Sequence, residues 1–228
     1  MKKKLFITFL LLTGLRGWAQ TPASIDNEKL LDLMQSQRYK EASSYIKSIY
    51  PLGISDKKML LRLAYCNYMG GNLQEAEQNY LSLYHADTSN VGIIVNLANI
   101  LIKRGNYPRA SDYLKTALAI DSTNFMLYKQ LGEMGQQTGD TSTLSYLEKA
   151  HTLNSTDPDI AYDLSMIYVP RKNYKKAEQI LNEAIAADST NLLLLRTLSK
   201  VTYAQDNWPK LIELSQKLTS LEMKQFLC

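Results

Sequence analysis

Histidine and cysteine, the residues that most often act as nucleophiles, proton carriers or metal ligands, are scarce in this 228-residue sequence. It contains two histidines, His85 and His151, and two cysteines, Cys66 and Cys228. Neither pair has a His-x-x-x-His or Cys-x-x-Cys spacing, and no glycine-rich phosphate-binding loop occurs. Catalytic groups can also meet from distant parts of a chain, so an enzyme using the fold as a platform stays a third-ranked hypothesis. We expect no enzymatic activity, no cofactor and no metal site.

The four residues also have structural interpretations. His85 and His151 each fall near the end of a predicted helix, where a surface position is the usual one. A disulfide framework needs more cysteines in a shorter chain. A bridge between Cys66 and Cys228 stays possible, but we expect a half-buried Cys66 and an unpaired Cys228.

The first residues are typical of a secretory signal peptide. Three lysines follow Met1, residues 5–12 are almost entirely apolar, and Gly17-Trp18-Ala19 offers small residues at a cleavage site. The apolar stretch is shorter than the ~20 residues of a membrane-spanning helix. We predict a signal peptide over residues 1–19 with cleavage after Ala19. Cleavage after Gln20 and an uncleaved membrane anchor are the alternatives.

Export changes the charge that the folded protein carries. The whole chain has 26 Lys and Arg residues against 22 Asp and Glu, but the predicted leader holds four of the basic residues and no acidic one. The mature chain would have 22 of each. Nucleic-acid binding requires surplus positive charge, so we expect no nucleic-acid partner. No second apolar run approaches membrane length, so membrane association would require an envelope partner or a further C-terminal segment.

Four short polar tracts recur with almost constant spacing. They begin at Asp87, Asp121, Asn154 and Asp188, at intervals of 34, 33 and 34 residues, and each lies between two apolar helical patterns. Their short Asp, Asn, Ser and Thr side chains are suited to ending and capping helices. The period divides residues 20–228 into six units, 23–56, 57–90, 91–124, 125–157, 158–191 and 192–225.

Equivalent positions of the units predict a pair of antiparallel helices, A and B, in each. Small residues dominate the eighth position, in helix A, and the twentieth, in helix B, where the two helices must approach most closely. The eighth position holds Leu30, Ala64, Ala98, Gly132, Ser165 and Ser199, and the twentieth holds Ala42, Ala76, Ala110, Thr143, Ala177 and Leu211. Large residues fill the twenty-fourth position in five units (Ile46, Tyr80, Leu114, Leu147, Leu181). Between the helices, Asn72, Asn106, Asn173 and Asn207 mark tight turns.

This pattern resembles the tetratricopeptide repeat family over essentially the whole mature chain, and the Trp-Ala-Gln leader ending resembles signal peptides of the Bacteroidetes. Units two, three and five match best. Unit four lacks one residue, and unit six has Leu211 and Ser215 where Ala and a large apolar residue are usual. The ankyrin alternative has a similar period, but its Thr-Pro-Leu-His signature is missing. The resemblance implies an all-α, right-handed α-solenoid.

The same resemblance implies that the A helices line a concave groove. Five positions of each A helix should face it, and in this chain they are rich in Tyr, Met and aliphatic residues, which suit protein contacts. We predict a partner-binding groove, apolar in its N-terminal half and polar, partly basic, in its C-terminal half. Packing between neighbouring A helices is the alternative for Tyr65, Tyr68 and Met166. The candidate residues are Leu61, Tyr65, Tyr68, Met69, Asn99, Lys103, Lys129, Glu133, Tyr162, Met166, Arg196, Lys200 and Tyr203.

The leading functional hypothesis is a periplasmic scaffold or adaptor that binds a protein or peptide along this groove. The alternative is the periplasmic sensor portion of a larger signalling protein. The motivation is that a repeat array usually closes with an additional polar helix, and no such helix follows the sixth unit before Cys228.

Overall fold

The computed structural model describes residues 25–226, so the predicted leader and Cys228 lie outside the described residues. Within that range the chain forms helices and no strand. The helices are α1 (Asn27–Gln35), α2 (Tyr39–Ile49), α3 (Lys57–Met69), α4 (Leu73–Ala86), α5 (Val91–Lys103), α6 (Tyr107–Ile120), α7 (Phe125–Thr138), α8 (Thr143–Leu153), α9 (Pro158–Tyr168), α10 (Tyr174–Ala187), α11 (Leu192–Ala204) and α12 (Trp208–Phe226).

The helices form the predicted series of pairs. Odd-numbered helices are A helices and even-numbered helices are B helices. The A helices of units two to six begin at residues 57, 91, 125, 158 and 192, which are the first residues of the predicted units. Each helix packs against its neighbours in the chain, and contacts also join α9 to α11. The prediction of an all-α solenoid is confirmed.

The recurring polar tracts end one unit and begin the next. The Asp87 carboxylate accepts hydrogen bonds from the backbone N–H and the hydroxyl of Ser89, and Asp188 does the same with Thr190. These bonds lower the pKa of both carboxyls. At the end of each tract, a residue such as Asn90 caps the following A helix by accepting from Ile93 N–H. The tracts therefore satisfy helix-end groups that would otherwise lack partners.

A left-handed residue closes each A helix. Its φ is 83° at Gly71, 73° at Gly105, 57° at Lys172 and 56° at Asp206. The asparagines that mark these turns in the sequence follow the left-handed residue and stand at the N-cap of the B helix, as at Asn72, Asn106 and Asn173. Gln37 is left-handed too, at 56°, so unit one has the same turn without a glycine or asparagine in it.

Unit four reaches the same packing by a different route. Helix α7 runs to Thr138, Gly139 is left-handed, and α8 begins only at Thr143. A Cβ atom on Gly135 would lie 2.4 Å from the Thr143 hydroxyl oxygen, and one on Gly132 would lie 2.5 Å from Leu147 Cγ. Two glycines on one face of α7 thus let it approach α8 closely.

Large apolar residues at the twenty-fourth position hold neighbouring units together. Ile46, Leu114, Leu147 and Leu181 are fully buried, and Tyr80 is 1% exposed. Each apolar cluster joins at least two units; the C-terminal one runs from Leu147 in α8 to Leu214 in α12. The core is therefore a row of four apolar clusters along the stack, each of which crosses at least one boundary between units.

Charged side chains add a second, repeated connection between units. In α4, Glu77 is 7% exposed and pairs with Arg104 and with Arg109, the latter at 3.2 Å. At the equivalent place in α10, Glu178 accepts a hydrogen bond from Gln205 at 2.9 Å and pairs with Lys210. In both cases a carboxylate on a B helix binds the turn of the following unit. Among the described residues, no helix is both long enough and apolar enough to cross a membrane.

The close approach of α7 and α8 yields a stability prediction. Replacing Gly132 with Leu should lower the free energy of unfolding by about 1–3 kcal/mol, because the new side chain must displace the buried Leu147. Chemical denaturation followed by circular dichroism measures the change.

The matched control is Gly92→Ala in α5. A Cβ atom there meets only the Asn90 side chain, at 3.4 Å, so the free energy of unfolding should stay within about 0.5 kcal/mol of the original. An unchanged stability of Gly132→Leu would show that α7 and α8 are not packed as described.

Candidate functional site

The candidate site is the A-helix face, which we define as the side of α1, α3, α5, α7, α9 and α11 that is turned away from the apolar core. Most large apolar side chains that are exposed within the described residues lie on it. They are Leu31, Leu61, Tyr65, Met69, Met126, Met166, Leu193 and Tyr203, with exposures between 36% and 61%. The sequence-predicted groove residues are spread along this face, and the structure assigns them different surroundings.

Helix α3 carries an exposed apolar stripe. Leu61, Tyr65 and Met69 lie four residues apart, and they are 41%, 36% and 43% exposed. The Tyr65 ring packs edge-on against Tyr39 of α2, with 5.8 Å between ring centroids. Tyr65 therefore has one supported edge and one open surface, so its ring is held in place while remaining accessible.

Tyr68 and Lys103 contact each other across two A helices. The Lys103 ammonium lies 4.2 Å from the centroid of the Tyr68 ring, and Tyr68 itself is partly buried against the core. Next along the face, the Gln130 side chain donates to the Asn99 side chain at 3.3 Å. These contacts join α3 to α5 and α5 to α7, so Tyr68 has a packing role.

Lys129 is turned into the fold. It is 7% exposed, and its ammonium lies 3.0 Å from Asp157 and 2.7 Å from Asp159. Burial alone would lower the pKa of Lys129, but hydrogen bonds to Asp159 and Asp157 raise it. Asp157 also caps α9 by accepting from two backbone N–H groups. Lys129 therefore fixes the α7–α9 junction and offers little surface to a partner.

Two half-buried carboxylates lie beside that junction. Burial raises the pKa of Glu133 in α7, and the negative charge of Asp163 in α9 raises it further, against the opposing charge of Lys129. Burial also raises the pKa of Asp163, although its hydrogen bond with Gln136 opposes the change. Ionising both groups at neutral pH therefore costs free energy. The centre of the face is therefore acidic.

Exposed aromatic and basic side chains mark the C-terminal part of the face. Met166 is 52% exposed and Tyr203 61% exposed, and the Tyr203 ring packs edge-on against Trp208 at 5.6 Å. Arg196 pairs with Glu222 of α12 at 2.7 Å. Lys200 is exposed and Tyr162 is partly buried against the core.

Sequence reasoning missed several residues that support this face. Asp157 ends the tract between α8 and α9, Asp159 lies in the first turn of α9, and Tyr39 and Trp208 begin the B helices α2 and α12. Asp157 and Asp159 reach Lys129, and Tyr39 reaches Tyr65, because consecutive units stack. Trp208 reaches Tyr203 within unit six. The signal that could have found them is the same 34-residue period, applied to tracts and turns as well as to A helices.

The histidines and Cys66 do not join the face. His85 is exposed at the end of α4. His151 lies near the end of α8, and its Nε2 atom is 3.1 Å from a carboxylate oxygen of Glu183 in α10. Cys66 is fully buried rather than half-buried, and burial raises its pKa to about 11. Its thiol is therefore held protonated. Within residues 25–226, no three His, Cys, Asp or Glu side chains are grouped to hold a metal ion.

Comparisons with known proteins agree with this architecture. A family model described as "Tetratricopeptide repeat" matches residues 70–131 and 141–201, which together exceed half of the chain. No curated protein matches the sequence.

Three solved structures are similar in fold. The C-terminal part of a TPR repeat-containing protein from Cytophaga hutchinsonii is 20% identical, with a TM-score of 0.72 over 86% of this chain and 79% of that one. MamA is 18% identical, with a TM-score of 0.64 over 74% of this chain and 93% of that one. YrrB is described as a TPR protein with an unusual peptide-binding site. It is 18% identical, with a TM-score of 0.59 over 75% of this chain and 89% of that one.

The half-buried carboxylates predict a pH-dependent stability difference. Because the Glu133 pKa is raised in the folded state, the folded protein holds more protons than the unfolded chain above the usual carboxyl range. The protonated Glu133 carboxyl therefore contributes to the free energy of unfolding at low pH, and this contribution is lost as the pH rises through the raised pKa. Glu133→Gln should melt at the same temperature as the original protein below about pH 4 and at a higher temperature at neutral pH.

Thermal melts followed by circular dichroism between about pH 3.5 and pH 8 test this. The control is Asp112→Asn, which removes an exposed carboxylate on α6 and should show no such gain at neutral pH. A Glu133→Gln variant that melts below the original protein at neutral pH would contradict the prediction.

Proposed function

Because the chain belongs to the tetratricopeptide repeat family, we propose that it is a protein-interaction scaffold or adaptor of the cell envelope that binds a peptide or protein partner on the A-helix face. The observation that carries the proposal is the concentration of exposed Leu, Tyr and Met side chains on that face. Exposed apolar surface costs free energy in water, and covering it with a partner recovers that free energy.

Five of these apolar residues form two patches with charged residues of α7 and α9 between them. The first patch is Leu61, Tyr65 and Met69 on α3, and the second is Met166 and Tyr203 on α9 and α11. Both offer Tyr and Met, which present a large contact area or an adaptable shape to a partner. YrrB, which shares the fold, is described as having a peptide-binding site, and this supports peptide binding as the mode of recognition.

The acidic centre favours a partner with a basic side chain between two apolar contacts. Glu133 and Asp163 are half-buried, and burial raises both pKa values. A lysine or arginine from the partner would pair with the ionised carboxylates and stabilise them. The carboxylates would then not be buried without an opposite charge when the partner covers them. Glu133→Gln combined with Asp163→Asn should therefore weaken binding of the partner while leaving the helical content unchanged.

The binding surface can be tested with two matched sets of substitutions. The first places charge on the face, as Leu61→Glu, Tyr65→Glu and Tyr203→Glu together. The second places the same charge at exposed apolar positions elsewhere, as Leu52→Glu, Ile120→Glu and Leu153→Glu. Tyr68 is left unchanged because it packs against the core.

Affinity capture from an envelope fraction, with quantitative mass spectrometry, compares the two variants. The amount of each protein that the original chain enriches should fall about tenfold or more with the first variant. This corresponds to a loss of at least about 1.4 kcal/mol of binding free energy. The second variant should retain them. If both variants capture the same proteins equally well, the A-helix face is not the binding surface.

Export is a separate part of the proposal. It is supported by the three N-terminal lysines, the short apolar stretch and the small residues before Gln20. N-terminal sequencing of the protein recovered from the envelope fraction of producing cells should begin at Gln20. A chain that keeps Met1 and stays in the cytoplasmic fraction would contradict the export proposal but would leave the binding surface untouched.

A further inference from the structure

The outer face of α12 is the one B-helix face in the described chain with no A helix packed on it. Leu214, Leu218 and Leu221 turn inward to the C-terminal apolar cluster. On the opposite side, Ile212 is 59% exposed and Met223 57% exposed. Ser215, Thr219 and the other polar residues between them are exposed as well.

This face is chemically different from the faces that receive the next A helix. At its twenty-fourth position, unit six has the exposed Ser215, whereas the corresponding residues Ile46, Tyr80, Leu114 and Leu181 are buried. The large side chain that fills every other junction is therefore missing. Apolar residues remain only toward the two ends of the face, and small or polar ones occupy its middle.

The opposite end of the stack does not complement this face. Helix α1 turns Leu30 and Leu33 inward, and its outer side presents Glu28, Asp32 and Gln35, all exposed. An end-to-end array would place Ile212 and Met223 against these polar residues. Complementary apolar surface is instead found on α12 itself.

We propose that α12 joins two copies of this chain in a symmetric dimer, with the two α12 helices antiparallel across a two-fold axis near residues 217 and 218. This arrangement places Ile212 against the partner's Met223, and Ser215 against the partner's Ser220. Gln216 meets the partner's Thr219. Apolar pairs then lie at both ends of the contact, and small or polar side chains occupy its centre.

Charge along one edge of α12 supports the same register. Glu213 and Lys224 are both exposed and lie on the same edge of the helix. In an antiparallel pair related by a two-fold axis, each edge meets the same edge of the partner in reverse order. Glu213 therefore lies beside the partner's Lys224, and symmetry makes this ion pair twice. Lys217, near the axis, can extend its charge into solvent along its flexible stem.

The dimer is tested by sedimentation equilibrium of the purified mature chain over a wide concentration range. The proposed contact is a single pair of helices that touch over a length of ~20 Å. Because this contact is small, the dimer should dissociate on dilution. Ile212→Glu combined with Met223→Glu should be monomeric at about 100 μM, with unchanged circular dichroism. Leu52→Glu, at a fully exposed loop position, is the control and should dimerise as the original chain does.

Charge reversal tests the register. Glu213→Lys alone and Lys224→Glu alone should each raise the dimer dissociation constant by about tenfold, because each creates two like-charge contacts. The double variant should return it to near the original value. A chain that stays monomeric at about 100 μM, or a dimer unaffected by Ile212→Glu with Met223→Glu, would overturn the proposal. Partner capture by the A-helix face is measured separately and does not depend on this result.

Discussion

The whole structure depends on burial of the twenty-fourth residue of units one to five in apolar clusters that span two or more units. Ile46, Tyr80, Leu114, Leu147 and Leu181 are at most 1% exposed, and the cluster that holds each of them includes residues of the next unit. Folding of each unit is therefore coupled to stacking of its neighbour. Two further contacts stabilise the stack. Gly132 and Gly135 let α7 and α8 pack closely within unit four, and the Glu77 and Glu178 carboxylates each bind residues of the following unit.

The A-helix face is a consequence of that coupling. B helices use their apolar surface to join units, whereas each A helix keeps one side away from the core. Along that side, polar and cation–π contacts such as Lys103 with Tyr68 join neighbouring helices. The Leu, Tyr and Met residues left between these contacts are positioned by a rigid scaffold, and this favours recognition with little loss of conformational freedom on binding.

The acidic centre shows how one residue serves two levels of structure. Asp157 ends one unit and caps α9, and its carboxylate also holds the buried ammonium of Lys129. That ion pair occupies the positive charge that could otherwise have balanced Glu133 and Asp163 more fully. A local capping requirement thus leaves two half-buried carboxylates with raised pKa values on the surface proposed to meet a partner.

The sequence by itself determined that the chain forms a series of helix pairs and which large residues join them, because a 34-residue period, small residues at two positions and Asp/Asn-Ser-Thr tracts each have a local physical cause. Unit four was assignable in the same way, through Thr143. Only the tertiary structure decided which A-helix residues are accessible. Lys129 and Met166 both belong to the predicted groove, yet one is 7% and the other 52% exposed. The difference arises because Asp157 and Asp159 reach Lys129 from the next unit, and such contacts depend on how far consecutive units rotate and approach.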